Sequence, residues 1–90
     1  VVYKRHLYAR INSMLPSEAI PLLNSHIAAH PADDRALTLR GIKLWALGNR
    51  AEAIKDYNTA IALNPESDAR QALAMANDIL AFYNKDLLNP

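Results

Sequence analysis

The sequence predicts an all-α fold of stacked helix–turn–helix units, and three observations carry that prediction. First, the passage SEAIPLLNSHIAAHP (17–31) is written again 34 residues later as AEAIKDYNTAIALNP (51–65). Glu18/Glu52, Ala19/Ala53, Ile20/Ile54, Asn24/Asn58, Ile27/Ile61, Ala28/Ala62 and Pro31/Pro65 are identical, seven columns of fifteen, where unrelated sequence gives about one. Second, only two Gly, five Pro and one Phe accompany abundant Ala and Leu, a composition that favours helices. Third, apolar residues recur at helical spacing between Pro, Asn and Asp punctuation. A 34-residue period is that of a helix–turn–helix unit, which cannot bury its apolar face alone and must stack on neighbours.

The elements follow in order. Tyr3, Leu7, Ile11 and Met14 give an amphipathic first helix over residues 2–14. Pro16 suits the start of a second helix, and with Ser17 as its N-cap that helix runs to Ala29 and leaves Pro21 at the edge of the first turn. Pro31 stops it, and Asp33 or Asp34 caps a third helix over about 34–47. Gly48 offers a positive-φ stop. Asn49 with Glu52 reads as a capping box for a fourth helix over about 50–63. Pro65 ends that helix in the register of Pro31. Ser67 or Asp68 then caps a fifth, with Gln71 placed for a reciprocal cap from Asp68. Its apolar stripe is Ala69, Ala72, Leu73, Ala76, Ile79, Leu80 and Tyr83, with fraying expected from Asn84 to Pro90.

Ninety residues, 51% hydrophobic and 21% charged, describe one small globular domain whose stability is marginal unless something shares its core. Absence of Cys excludes disulfides, thiolate metal sites and a Cys nucleophile, and fits a reducing compartment. A net charge of +1 argues against a dedicated nucleic-acid binder. The longest apolar runs are too short to span a membrane, and no leader peptide is visible, so a cytoplasmic location is the default expectation. A start at Val1 rather than Met is compatible with a fragment or a processed product.

Asp34 to Ser67 resembles the tetratricopeptide repeat (TPR) signature, with Leu37, Arg40, Gly41, Leu44, Ala53, Tyr57 and Pro65 in the family's columns. Gly41 and Ala53 are small where the helices of one unit cross, Ala60 is small where the next unit packs, and Tyr57 fills the space between. Arg40 stands where an apolar residue is usual, and a pairing with Asp56 across the hairpin is expected. The first unit is degenerate: Tyr3, His6, Leu7 and Arg10 fall where Leu37, Arg40, Gly41 and Leu44 fall in the second. Leu7 in the Gly column implies wider helix spacing or a shifted register. His26 replaces the small residue of the Ala60 column. The fifth helix has Gln71, Met75 and Asp78 in place of Leu37, Gly41 and Leu44, and resembles a capping helix. The resemblance implies a right-handed α-solenoid: a single domain 1–90 with repeat 1 at about 1–33, repeat 2 at 34–67 and a cap at 68–88.

In that family the leading helices line a concave groove that takes a peptide or helix. The first helix would offer Lys4, Arg5, Tyr8 and Ile11. The third would offer Arg35, Leu39, Ile42 and Trp45, and the cap Ala76 and Ile79. A subset of the family grips chaperone C-termini with Lys and Asn residues. Only Lys4 matches that clamp, since Tyr8 and Leu39 replace Asn, and Ala69 and Leu73 replace Lys and Arg; chaperone-tail binding is therefore not expected. What remains is an apolar floor with a basic rim of Lys4, Arg5 and Arg35, suited to a mixed apolar and acidic segment. Ile42 and Trp45 are equally placed to serve as core against the cap. The expected function is a non-enzymatic protein–protein interaction module. The alternative is structural self-association, as a homodimer or as part of a longer assembly.

Catalytic constellations are missing. His26 and His30 stand at metal-ligand spacing (i, i+4) without a third ligand nearby. Asp33-Asp34 after Pro31 reads as capping, the serines lack a paired base, and there is no Gly-rich phosphate loop. No enzyme activity, cofactor or metal is expected, and the partner is a protein or peptide rather than nucleic acid or membrane.

Overall fold

A computed structural model describes residues 2–83, and side chains for residues 5–82. Five helices follow one another: α1 (Val2–Ser13), α2 (Pro16–Ala29), α3 (Asp34–Ala46), α4 (Arg50–Leu63) and α5 (Ala69–Tyr83). No strand occurs among the described residues. The expected behaviour of 84–90, and the end of the cap at 88, lie outside them.

Most helix ends fall where the punctuation puts them, but the caps differ in detail. Asp33 does cap α3, its carboxylate accepting from the Ala36 N–H at 3.2 Å. Gly48 carries φ +88° after α3, the left-handed geometry that a side chain resists. Ser67 rather than Asp68 caps α5: its hydroxyl accepts from the Ala69 N–H at 3.1 Å. Two expectations fail. Asn49 precedes α4 without a side-chain cap, so the capping box with Glu52 does not form. At α2 the N-cap is Leu15 and Pro16 takes the first helical position, not Ser17 the cap. Counted from Pro16, Pro21 is the sixth helical residue and lies in the interior. It has no N–H for the Ser17 carbonyl, and because both residues are exposed, water can serve that carbonyl instead.

α3 is the hub. It packs most extensively on α4 and α2, and also against α5 and α1. At the α3–α4 crossing a Cβ on Gly41 would lie 2.5 Å from Tyr57 Cε1 and 3.2 Å from the Ala53 carbonyl, so only Gly admits this approach. α1 and α2 are not among the closely packed pairs, as Leu7 in the Gly column implies. Their space is filled instead by Leu7, Ile11, Ala19 and Leu23, all buried. A second cluster joins Leu37, Ala53, Tyr57, Ala60, Ala69 and Ala76, and Ile27 touches both. Two small cores in series stretch the molecule to 51 × 27 × 18 Å.

The expected Arg40–Asp56 pair is present and bidentate. Arg40 Nε and Nη2 donate to the two Asp56 carboxylate oxygens, each at 2.8 Å. Nη1 of the same guanidinium donates to Asn24 Oδ1 at 3.0 Å, so one side chain ties α3 to α4 and α2. The hydrogen bonds to Asp56 and its negative charge raise the Arg40 pKa and keep the guanidinium charged.

Candidate functional site: a groove in two compartments

The first compartment is a polar hollow of about 390 Å³ between α1, α3 and the turn before α5. Asn12, Arg35, Thr38 and Ile42 form its helical walls, and Glu66 and Asp68 stand on the turn. The turn is organised by its own side chains. Asn64 Oδ1 accepts from the Glu66 N–H at 3.1 Å, and Thr38 Oγ1 meets Ser67 Oγ at 3.4 Å. Asn64 Nδ2 donates to Asp34 Oδ2 at 3.4 Å. Three carboxylates (Asp34, Glu66 and Asp68) thus line the hollow against the single guanidinium of Arg35, and none of the three forms an ion pair among the described residues.

The second compartment is an apolar cleft of about 280 Å³ between α3 and α5. Ile42 lines both compartments, so the two adjoin. Trp45 and Ile42 face Ala72, Met75 and Ile79 across the cleft, with Tyr57 at its base. Met75 and Ile79 are one helical turn apart and flank the buried Ala76, which extends the apolar stripe of α5 beyond what α3 and α4 cover. Met75 is 59% exposed and Ile42 45%. At the far end Trp45, Arg50, Asp78, Ile79 and Phe82 bound a further hollow, where the Arg50 guanidinium stands 4.9 Å over the Trp45 ring.

Of the ten residues expected in the groove, Ile42, Trp45 and Ile79 line the cleft, with Ala76 at its floor. Leu39 and Ala76 are buried yet line the hollow and the cleft respectively, whereas Ile11 is 0% exposed and lines neither. Arg5 is exposed on α1, and the Lys4 side chain is outside those described. Arg35 lines the hollow, but its guanidinium sits 5.1 Å over the Tyr8 ring, and the surrounding charge is acidic. The turn at 66–68 contributes no leading-helix column, so its carboxylates were not among the expected groove residues.

Tyr8 points into a network that the sequence reading missed. Its hydroxyl donates to Asp33 Oδ2 at 2.6 Å, and His26 Nε2 lies 2.7 Å from the same oxygen. Partial burial and the hydrogen bond to Asp33 push the Tyr8 phenol well above its usual range. One carboxylate therefore holds α1, α2 and the start of α3 together. The 34-residue offset holds the signal for it: Tyr8, His26 and Asp33 stand in the columns of Ile42, Ala60 and Ser67. Three polar residues replace a largely apolar trio at one junction. The His26 and His30 rings lie 4.7 Å apart, centroid to centroid, with His26 turned to Asp33. No group of three or more His, Cys, Asp or Glu fit to hold a metal occurs among the described residues.

Helix pairs packed in series around small residues define a helical-repeat protein. Residues 34–67 match the tetratricopeptide repeat family. The five helices fit a small TPR-like protein. No curated protein and no solved structure matched the chain significantly. Repeats of this family are generally protein–protein interaction units without catalytic function. Among the described residues no helix is long and apolar enough to cross a membrane.

Proposed function

We propose that the chain is a non-enzymatic interaction module that receives an apolar-faced peptide or helix of a partner protein in the cleft between α3 and α5. One observation carries this reading: Ile42, Trp45, Met75 and Ile79 form a contiguous apolar wall that the other described residues leave open. Such a face is a usual site of protein docking. Trp45 supplies the residue type that most often anchors interfaces. Tyr57 and Gly41 set the close approach of α3 to α4, so the α3 wall is positioned by the fold itself.

The test combines capture with substitution. Ile42→Gln with Met75→Gln replaces two exposed cleft residues by polar ones of similar length. Affinity capture and mass spectrometry from the native cell should yield partners with the wild type that the double variant loses. Capture that is indifferent to both substitutions rules the cleft out. A dimer seen by light scattering, and dissociated by the same variant, would assign the face to self-association instead.

A further inference from the structure

The groove is chemically lopsided, and that asymmetry describes its occupant. At one end the hollow presents Asp34, Glu66 and Asp68 against, among the described residues, the one base Arg35. Arg35 is already engaged 5.1 Å over the face of Tyr8. Glu66 and Asp68 are exposed on a turn whose backbone is held by Asn64 and Ser67, and neither carboxylate is in an ion pair among the described residues. Immediately beside them the cleft is almost entirely apolar. Ile42 lines both compartments, so a ligand that fills one lies beside the other. Carboxylates at the rim of an apolar site attract cations during encounter and repel anions, which selects the partner by charge while the apolar wall holds it.

We infer that the partner segment is cationic beside its apolar anchors: a Leu- or Phe-like side chain enters the α3–α5 cleft, and a Lys or Arg of the same segment lies in the acidic hollow. The inference rests on the cleft being the partner site, and it reverses the sign of ligand charge that the first-helix bases suggested. Spacing along the segment follows from α3. Thr38 in the hollow and Trp45 in the cleft are seven residues apart, so about 10 Å separates the two compartments at ~1.5 Å rise per residue. Anchor and base are therefore about three residues apart in an extended ligand at ~3.3 Å per residue. In a helical ligand they are about two turns apart.

A displayed library of random twelve-residue peptides, panned on the intact chain, tests this directly. Trp45 is the one tryptophan of the sequence, so its emission reports occupancy of the cleft. Enriched peptides should pair an aliphatic or aromatic residue with Lys or Arg at one of the two spacings. A synthetic copy should shift Trp45 emission, and Glu66→Lys with Asp68→Lys should weaken it roughly tenfold. Melting curves of these exposed-site variants confirm that they fold. Enrichment of acidic peptides, or a basic peptide indifferent to the charge reversals yet lost with Ile42→Gln and Met75→Gln, overturns the charge inference and leaves the cleft standing. Binding that survives Ile42→Gln and Met75→Gln removes the cleft reading as well. Absence of any enriched family overturns the inference too, and a dimer that those substitutions dissociate would name a second copy as the occupant.

Discussion

At the scale of single residues, the α3–α4 unit depends on two contacts that make opposite demands. Gly41 must stay small because the Tyr57 ring and the Ala53 carbonyl occupy the space where a Cβ would project. Gly41→Ala gains helix propensity of about 1 kcal/mol, but overpacking against the ring costs about 1–3 kcal/mol. Tyr57 is 3% exposed and has little room to withdraw, so a net loss of about 1–2 kcal/mol in urea unfolding is expected. Tyr57→Leu should cancel part of it, and additive effects of the two changes would disprove the clash. Arg40 and Asp56 illustrate the other demand, since the carboxylate side chain is 7% exposed and its partner guanidinium 24%. Arg40→Ala strands a buried charge and should cost about 3 kcal/mol or more. Asp56→Ala leaves an arginine that can turn to water and should cost less. A double-mutant cycle should give coupling of about 1–3 kcal/mol; zero coupling would reduce the pair to bystanders.

Helix by helix, attachment is uneven. α3 and α4 interlock around glycine and alanine, whereas α1 is held at a distance by Leu7 and Ile11 and tethered by polar side chains. Tyr8 donates to Asp33 near the α2–α3 junction, and Lys43 donates to the Met14 carbonyl at 2.9 Å beyond the end of α1. α1 should therefore be the first element to open, with faster amide exchange than α3 or α4. Tyr8→Phe should lower stability at pH 7 by about 1–2 kcal/mol, as expected for a hydrogen bond to a carboxylate. Its pH dependence has a definite sign. The folded phenol titrates above the unfolded one, so the stabilisation is complete below about pH 10 and is lost as pH rises through the folded value. The gap between wild type and Tyr8→Phe should shrink above pH ~10 in thermal melts. A gap that widens there would refute the assigned hydrogen bond. The helices themselves were legible in the sequence because Pro31, Gly48 and Pro65 end them chemically and the 34-residue echo repeats two of the stops. The Asn49 cap and the position of Pro21 were not, because Asn49 stands before α4 without a side-chain cap bond and Leu15, which has no capping side chain, sets the start of α2.

For the molecule as a whole, two small cores in series leave one face unfinished. Repeat columns make the cleft legible: Ile42, Trp45 and Ile79 are in positions the packing pattern leaves free. They hide its acidic end, because Glu66 and Asp68 come from a turn that no leading-helix column contains, and they hide the burial of Ile11 and Leu39 beneath α1 and α3. The open wall separates stability from binding. Ile42 and Met75 are each about half exposed or more and give little of their surface to the fold. Ile42→Gln with Met75→Gln should change unfolding free energy by less than about 1 kcal/mol, the range of surface substitutions. It should also raise solubility by removing exposed apolar area. The same variant should lose the partner. Apolar residues kept at solvent-facing positions where polar ones cost the fold nothing are the expected signature of a binding surface, in which function opposes solubility. Paired urea melts and peptide titrations on this variant decide the matter. Preserved stability with lost binding makes the cleft a docking surface, whereas a loss of several kcal/mol would make it part of the core.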